Sequence, residues 1–451
     1  MQAASATLPA PAGGALATRR LQIGYVMQAD AVDMSLPSGV QMHVEAIYRG
    51  LALRGHRMRM VAIQQGETQW SDDLARWSAA RADVDEATAF RLVERVVRGV
   101  QSRVHAPFIR FFDSYRFADA CQRPFRGFDV LYERDGTICY GGIIAARRLG
   151  IPIVLEVNGD LVEEWRQMGL PMSGAQRATV HWMTGRIYRA ASHIIAVGET
   201  LRETIVRRFA LPPSHVSVVR NGASVDRFLD LRPDRGVRER FGIPPGRIVI
   251  FTGSFQAWHG VDLILQAFGE VAAARPDVTM VFVGDGQMSE ELRRSAASMN
   301  LTDRVVLTGR VNHADVAQLL WLADVAVIYH RAVAAQIVET PLKLFEYMAS
   351  GKAIVAPAVP HMQRIVSHRE SGVLVPPDRP DLLAAAVIEL LADDALREAL
   401  GEAARREAVE KHSWGRAVRE VEAVLFEVVE RHRRRRQAPH SGSERAGERI
   451  A

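Results

Sequence analysis

The residue types best suited to chemistry lie between Glu339 and Pro357, in ETPLKLFEYMASGKAIVAP. Thr340 suits an N-cap and Pro341 the first helical position, so the backbone N–H groups of Leu342, Lys343 and Leu344 are expected to lack intrahelical partners. An end of this kind attracts anions, and Lys343 adds a full positive charge to it. Lysine is scarce: the basic residues are arginine except for Lys343, Lys352 and Lys411. A compact ammonium at a candidate phosphate site therefore carries more weight than in a lysine-rich chain. At helical spacing Leu342, Phe345, Glu346 and Ala349 share one face, which sets the Glu346 carboxylate in an apolar stripe. There it needs donors, either a pair of sugar hydroxyls or groups of the protein itself. Gly351 then stops the helix, and AIVAP returns as a buried strand. The stretch reads as a site for a ligand carrying phosphate and hydroxyls.

Further candidates stand where strands should end. In GSFQAWHG (253–260), Ser254 and His259 offer donors to a phosphate and Trp258 lies between them. Gly284-Asp285-Gly286 follows another strand, and Gly309-Arg310-Val311 a third, where backbone groups could read the edge of a base. Nearer the start, Ser38-Gly39-Val40 is too short for a dinucleotide fingerprint; it either lets a ligand approach the backbone or is merely a turn. Arg134, Glu156, Asn158, Asp160 and Asn221 end strands of the first half and would point toward a common crevice, or else cap loops.

The elements that must position these residues alternate strand and helix. LQIGYVM, a helix over Met42 to Leu53, and HRMRMVAI form an opening βαβ unit. Residues 70–120 look helical and surface-lying. Strands resume at 128–134, 151–160, 192–198 and 215–222. A second alternation follows with strands at 247–254, 278–286, 305–311, 323–329, 353–357 and 372–377, continuous apolar runs of the kind covered on both faces. This gives a first domain over 21–225, a linker over 226–246 with Pro233, Gly242, Pro244 and Pro245, and a second domain over 247–412. A helix over 413–430 comes last. Residues 1–20 and the basic tail 431–451 are expected to be disordered.

Composition narrows the class. With 451 residues, 48% hydrophobic and 24% charged, the chain has the makeup of a globular protein of two or three domains. Cys121 and Cys139 supply neither a disulfide framework nor a metal cluster, and fit a reducing cytoplasm. No apolar run approaches the roughly 20 residues of a membrane span, and the start lacks a signal-peptide pattern. The run RHRRRR at 431–436, in a chain of net charge +5, is either a solvated tail or a point of contact with an anionic membrane at the inner face of the cell membrane. Nothing near it resembles a nucleic-acid-reading element.

In order and at these spacings, GSFQAWHG, VGDG, LTGRV and TPLKLFEYMASGKAIVAP, supported by IIAVGETLRE and VVRNGASVDRF, resemble the retaining glycosyltransferases of family four (glycosyl transferases group 1). The likeness is to a subset with a Pro-Leu-Lys segment and covers residues 21–430. It implies the GT-B fold: two Rossmann-like doubly wound parallel-sheet domains facing a central cleft. It implies transfer of a sugar from a UDP- or GDP-sugar to a glycan or lipid-linked acceptor hydroxyl, in cell-surface polysaccharide or glycolipid synthesis, with no metal or cofactor. By the same resemblance Glu346 binds the donor ribose, the amides of Leu342 to Leu344 cradle the diphosphate, and Arg310 and Val311 flank the base. Ser254, Trp258, His259, Gly284 and Gly286 complete the donor site, and Gly39 closes over the phosphates. Asn158, after Glu156, falls on the acceptor side; these two and Glu339 are the candidates for positioning the reacting sugar.

Two departures stand out. Relatives carry two glutamates eight positions apart, whereas here Val338 takes the first place and Glu339 is one residue late. Ser254 and His259 replace an Arg and a Lys, so neutralisation of the phosphates is expected to fall to Lys343, helped by Arg331. Those losses leave a noncatalytic nucleotide-sugar-binding or scaffold protein as an alternative; a sugar-nucleotide epimerase, a different reaction on the same architecture, is a second.

Overall fold

Strands made of unbroken apolar runs must be covered on both faces, and here helices do so on two separate sheets. The computed structural model of the chain describes residues 20–29, 34, 38–103, 110–136, 138–160, 173–232, 234, 236–331 and 341–437. The first sheet contains β1 (Gln22–Met27), β2 (Arg57–Gln64), β3 (Glu67–Ser71), β4 (Ser78–Ala79), β5 (Val130–Arg134), β6 (Ile153–Val157), β7 (His193–Ala196) and β8 (Val216–Val218), in the order β4-β3-β2-β1-β5-β6-β7-β8. β1 lies parallel to both β2 and β5, with Ile23 opposite Met58 and Val130. β3 and β4 add an antiparallel edge that runs from Glu67 into the region 70–120 expected to be helical. Their polar residues, among them Glu67, Thr68, Gln69 and Ser78, suit an edge more than a core, which hides the strand signal.

The second sheet contains β9 (Arg247–Thr252), β10 (Val278–Val283), β11 (Val305–Leu307), β12 (Val325–Val327), β13 (Ala353–Pro357) and β14 (Val373–Val375), ordered β11-β10-β9-β12-β13-β14 and parallel throughout. Its order reverses between β9 and β12. At such a point the loops beyond the strand ends part and leave a crevice for a ligand.

The segment read as a linker, 226–246, belongs to the second core, because Phe228, Val237 and Ile243 are buried there. The chain instead crosses between domains at two adjacent places, joined by a bridge between Ala223 and Ser413. The Ala223 N–H donates to the His412 carbonyl at 2.8 Å.

After the second crossing, helix Trp414–Gln437 returns to the first domain. It buries Val418, Val421, Leu425 and Val428 beside helix Gly39–Leu53, where Gly50 leaves room for Val418. The expectation that the basic run is unstructured fails as far as Gln437. Arg433 pairs with Asp129 at 2.6 Å, Arg431 donates to the Ser192 carbonyl at 3.2 Å, and Arg436 donates to the Gly150 carbonyl at 3.1 Å. One carboxylate and two loop carbonyls of the first domain thus take up these arginines, which fasten the helix. Among the described residues no helix is long and apolar enough to cross a membrane.

A methyl on Gly222 would stand 2.6 Å from the Ser413 carbonyl carbon and 2.7 Å from the Trp414 nitrogen. Gly222→Ala is expected to destabilise the protein by about 2 kcal/mol, since backbone on both sides must shift. Gly99→Ala, a helical glycine facing open space, should gain about 0.5–1 kcal/mol. Thermal or urea unfolding of both variants checks the contrast.

Candidate functional site

Helix Leu342–Ala349 follows β12, beside the reversal of the second sheet. Pro341 precedes it as cap, with ψ 145°, where the first helical position was expected, and the Leu344 N–H is used on the Pro341 carbonyl at 3.0 Å. Val338, Glu339 and Thr340 lie outside the described residues. The expected apolar stripe is absent. The helix is buried all round from Lys343 to Ala349, enclosed between the sheet, helix Asp394–Lys411 and helix Val225–Leu229.

Total burial puts an ammonium inside the protein. Lys343 is 9% exposed, and its Nζ bonds to no group among the described residues. The Nζ lies 4.2 Å from the centroid of the Phe251 ring, a cation–π contact. Gly253, at φ +127°, makes the space: a methyl there would stand 2.6 Å from Nζ. Burial pushes the amine down to about 7, against the opposing pull of the Glu346 charge. Glu346 is 7% exposed, and burial pushes its carboxyl up to about 7, opposed by Arg227 and Lys343. His313 Nε2 lies 2.6 Å from Glu346 Oε1, so one carboxylate oxygen is held by the protein.

His313 was not among the sequence candidates. It opens helix His313–Leu322, capped by the Asn312 side chain, two residues beyond Val311. Its position just after the Gly309-Arg310-Val311 loop was the available signal, but the sequence did not show that this loop faces Glu346. Of that loop, Arg310 is exposed, and Val311 packs against the second core.

The three loops after β9, β10 and β11 do meet, and they are laced by backbone. The Gly253 N–H donates to the Val283 carbonyl at 2.8 Å, Gly284 to Gly309 at 3.0 Å and Phe255 to Asp285 at 3.0 Å. A methyl on Gly284 would meet the Gly253 oxygen at 2.0 Å, and one on Gly286 would meet the Phe255 nitrogen at 2.6 Å. Both glycines thus serve loop against loop.

His259 also departs from expectation. Its Nδ1 lies 2.6 Å from the Ser254 carbonyl, which can only accept, so the proton is on Nδ1. Burial, with Lys343 nearby, pushes the imidazole down to about 3. A neutral ring protonated on Nδ1 offers a lone pair at Nε2, so His259 cannot donate to a phosphate. Ser254 remains exposed. Arg331 is engaged as well: it pairs with Asp262, donates to the Ala257 carbonyl at 3.1 Å, and sends its own N–H to the Trp258 carbonyl at 3.1 Å. Its charge secures the loop around Trp258.

The first domain contributes a second helix start. Helix Gly39–Leu53 is capped by Ser38, whose hydroxyl accepts from Gln41 N–H at 3.0 Å. A methyl on Gly39 would lie 3.6 Å from Leu342 Cδ1, so the positive ends of the two helices meet across the domains. One turn along the Gly39 helix, His43 stacks on Trp414 at 5.2 Å and lies 3.3 Å from Glu156.

Glu156, 2% exposed, accepts from Tyr132, from Arg134 at 3.2 Å and from Asn158 Nδ2 at 2.6 Å. Burial raises its carboxyl, but His43 and Arg134 outweigh that and bring it down to about 2. It is a buried hub that orients Asn158 and the Gly39 helix, not a group facing a substrate. Asn158 itself is half-buried at the end of β6. Asp160 pairs with Arg208, and Asn221 borders the small space beside Glu156 and Trp414.

Residues 37–227 match Glycosyltransferase Family 4, and residues 237–407 match Glycosyl transferases group 1. The chain belongs to the family-four-like glycosyltransferases, and its two domains are those of the GT-B architecture. It is 26% identical over 299 residues to the alpha-D-kanosaminyltransferase of Streptomyces kanamyceticus, a match covering 65% of this chain and 75% of that protein. It is 29% identical over 310 residues to the D-inositol 3-phosphate glycosyltransferase of Salinispora tropica, covering 65% of this chain and 63% of that one. The crystal structure of HepE from Anabaena in complex with UDP has the same fold, with a TM-score of 0.66 at 16% identity over 90% of this chain and 100% of that one. Nucleotide-sugar-dependent glycosyl transfer is thus the activity of the class.

Two variants probe the site. Lys343→Met removes a buried amine that makes no hydrogen bond among the described residues, so the free protein should unfold at an equal or higher temperature while UDP affinity falls at least about tenfold. An anion beside Lys343 raises its pKa, so UDP binding at pH 8 should take up protons in the parent protein and none at this site in the variant. Calorimetry in buffers of different ionisation enthalpy reads this directly. Glu156→Gln should cost roughly 3–5 kcal/mol, since it leaves the largely buried Arg134 guanidinium without its anionic partner. The carboxyl is lowered in the folded state, so its contribution is present above the ordinary carboxylate range and is lost as pH falls toward 2. The gap between parent and variant in acid unfolding should close accordingly.

Proposed function

We propose that the protein moves a sugar from a UDP- or GDP-sugar to a hydroxyl of a glycan or lipid-linked acceptor, with retention at the anomeric carbon and without a metal ion. The observation that carries this reading is the meeting of two helix N-termini, at Gly39 and Leu342, beside the buried ammonium of Lys343. Negative charge develops on the diphosphate as the bond from the anomeric carbon to the phosphate oxygen breaks. Preorganised helix ends and a cation stabilise that charge without reorganisation, and they supply here what a divalent ion would otherwise supply. The diphosphate gives Lys343 the anionic hydrogen-bond partner it lacks among the described residues.

Glu346, with one oxygen held by His313, offers the other to the ribose hydroxyls. The acceptor approaches over the end of β6, where Asn158 is fixed by Glu156. Its oxygen bonds to the anomeric carbon on the face the diphosphate leaves, and its proton passes to the departing phosphate. UDP is the donor nucleotide we favour, because HepE, of the same fold, was crystallised with UDP and with UDP-glucose. A role in making a cell-surface polysaccharide or glycolipid fits the acceptor class.

The test is nucleotide release from a panel of UDP- and GDP-sugars, with and without a lipid-extract acceptor, followed by NMR of the product's anomeric proton. Release from one donor that rises with acceptor, giving the donor's own anomeric configuration, is expected. Binding without release from any donor, with an acceptor known to be present, would favour the noncatalytic alternative; an inverted product would overturn retention.

A further inference from the structure

Helix Thr88–Arg103 of the first domain is turned inside out. The side facing the protein is polar: Glu94 pairs with Arg98 at 2.8 Å and with Arg116, and Arg98 also reaches Asp113 at 2.7 Å. Phe90 adds an aromatic contact there, 5.4 Å from Phe112 and 5.5 Å from Tyr115. The opposite side carries Leu92, Val93, Val96, Val97 and Val100, whose spacing of three and four residues places them in one stripe. Leu92 is 57% exposed, Val96 58% and Val100 51%. A helix folded for the core of this domain would present the reverse arrangement, so the stripe needs another apolar neighbour.

Through Tyr115, which stacks on Phe90, the helix adjoins Phe111, 46% exposed and 6.2 Å from Tyr115, at the border of a groove also lined by Ile144 and by Trp182, itself 59% exposed. Charge indicates what covers it. Arg91, Arg95, Arg147 and Arg186 are exposed on the same elements, and Arg186 lies over the Trp182 ring at 5.2 Å. Of the described carboxylates near it, Glu94, Asp113, Asp119 and Asp83 are each bonded to an arginine already. A second copy of this face would set arginines against arginines. A surface both apolar below and anionic above fits instead: aliphatic side chains and Trp182 enter the acyl boundary while the arginines stay at the headgroups.

We infer that the first domain docks on an anionic lipid bilayer through the outward stripe of helix Thr88–Arg103 and the adjoining Phe111 and Trp182. This moves membrane contact away from the arginines at 431–436, several of which are spent on the first domain's own carbonyls and Asp129. It is independent of the donor site and stands whichever nucleotide sugar is used.

The experiment is co-sedimentation of the full chain with vesicles of phosphatidylcholine alone and with phosphatidylglycerol added. The parent protein should bind the anionic vesicles, less so at high salt, and the neutral vesicles weakly. Val96→Glu with Val100→Glu should weaken binding at least about tenfold by placing charge in the acyl boundary. The pair Val96→Ala and Val100→Ala, which preserves the helix, should weaken it less. Both variants should keep parental UDP affinity, so a failure here is distinct from a failure of the donor site. A chain ending at Gln437 should bind as the parent does. Equal vesicle binding by the charged variant, loss of binding on truncation, or light scattering that shows a dimer dispersed by the charged variant would each overturn the inference.

Discussion

The lysine ammonium enclosed by the second domain is the constraint on which the site depends. Burying an unpaired cation costs several kcal/mol even after relaxation, so a protein retains one where something outside the fold compensates. Lys343 is held between the Phe251 ring and the bare backbone of Gly253, with the ring face and the Glu346 charge as its electrostatic relief. That arrangement is poor for the free protein and good for binding an anion, because the solvation lost has been lost before the ligand arrives. The neighbouring Glu346 is kept from neutralising it directly by His313, which takes up one carboxylate oxygen.

Rigidity around this charge comes from backbone more than from side chains. The loops after β9, β10 and β11 are tied by N–H to carbonyl bonds, and the glycines at 284 and 286 permit contacts too close for any side chain. Arg331, a cation that could have shared the neutralising role, is fastened to Asp262 and the Ala257 carbonyl in the same loop. Ser254 and His259 of this loop are polar and neutral, and the cation stands on the helix that starts at Leu342.

The first domain is brought to this site by a second buried polar group. Glu156 binds Arg134, Tyr132, Asn158 and His43, and His43 belongs to the helix whose first residue approaches Leu342. The same histidine stacks on Trp414 at the start of the helix that returns from the second domain. One carboxylate therefore fixes the angle at which the Gly39 helix meets the other domain. The long returning helix adds leverage through its arginines, which are anchored at the far side of the first sheet.

By itself the sequence determined the two-sheet architecture, because unbroken apolar runs at regular spacing have few other ways to be covered. It also located the Lys343 and Glu346 pair, since a lysine in an arginine-dominated chain and a carboxylate among apolar residues are each anomalous locally. Tertiary structure decided what local signals cannot carry. His313 and Gly253 became site residues only when their loops were placed beside the helix at Leu342, a matter of sheet order. Glu156 looked like a strand-end polar residue, and only packing against His43 and Trp414 made it a buried hub. His259 looked like a donor until the Ser254 carbonyl fixed its proton. The arginine run at 431–436 has the composition of a solvated tail, yet it is helical because buried Val421, Leu425 and Val428 hold the preceding turns against the first domain. The outward stripe of helix Thr88–Arg103 shows the same limit. Periodicity says that a helix is amphipathic, but only the position of its neighbours says which side faces the protein.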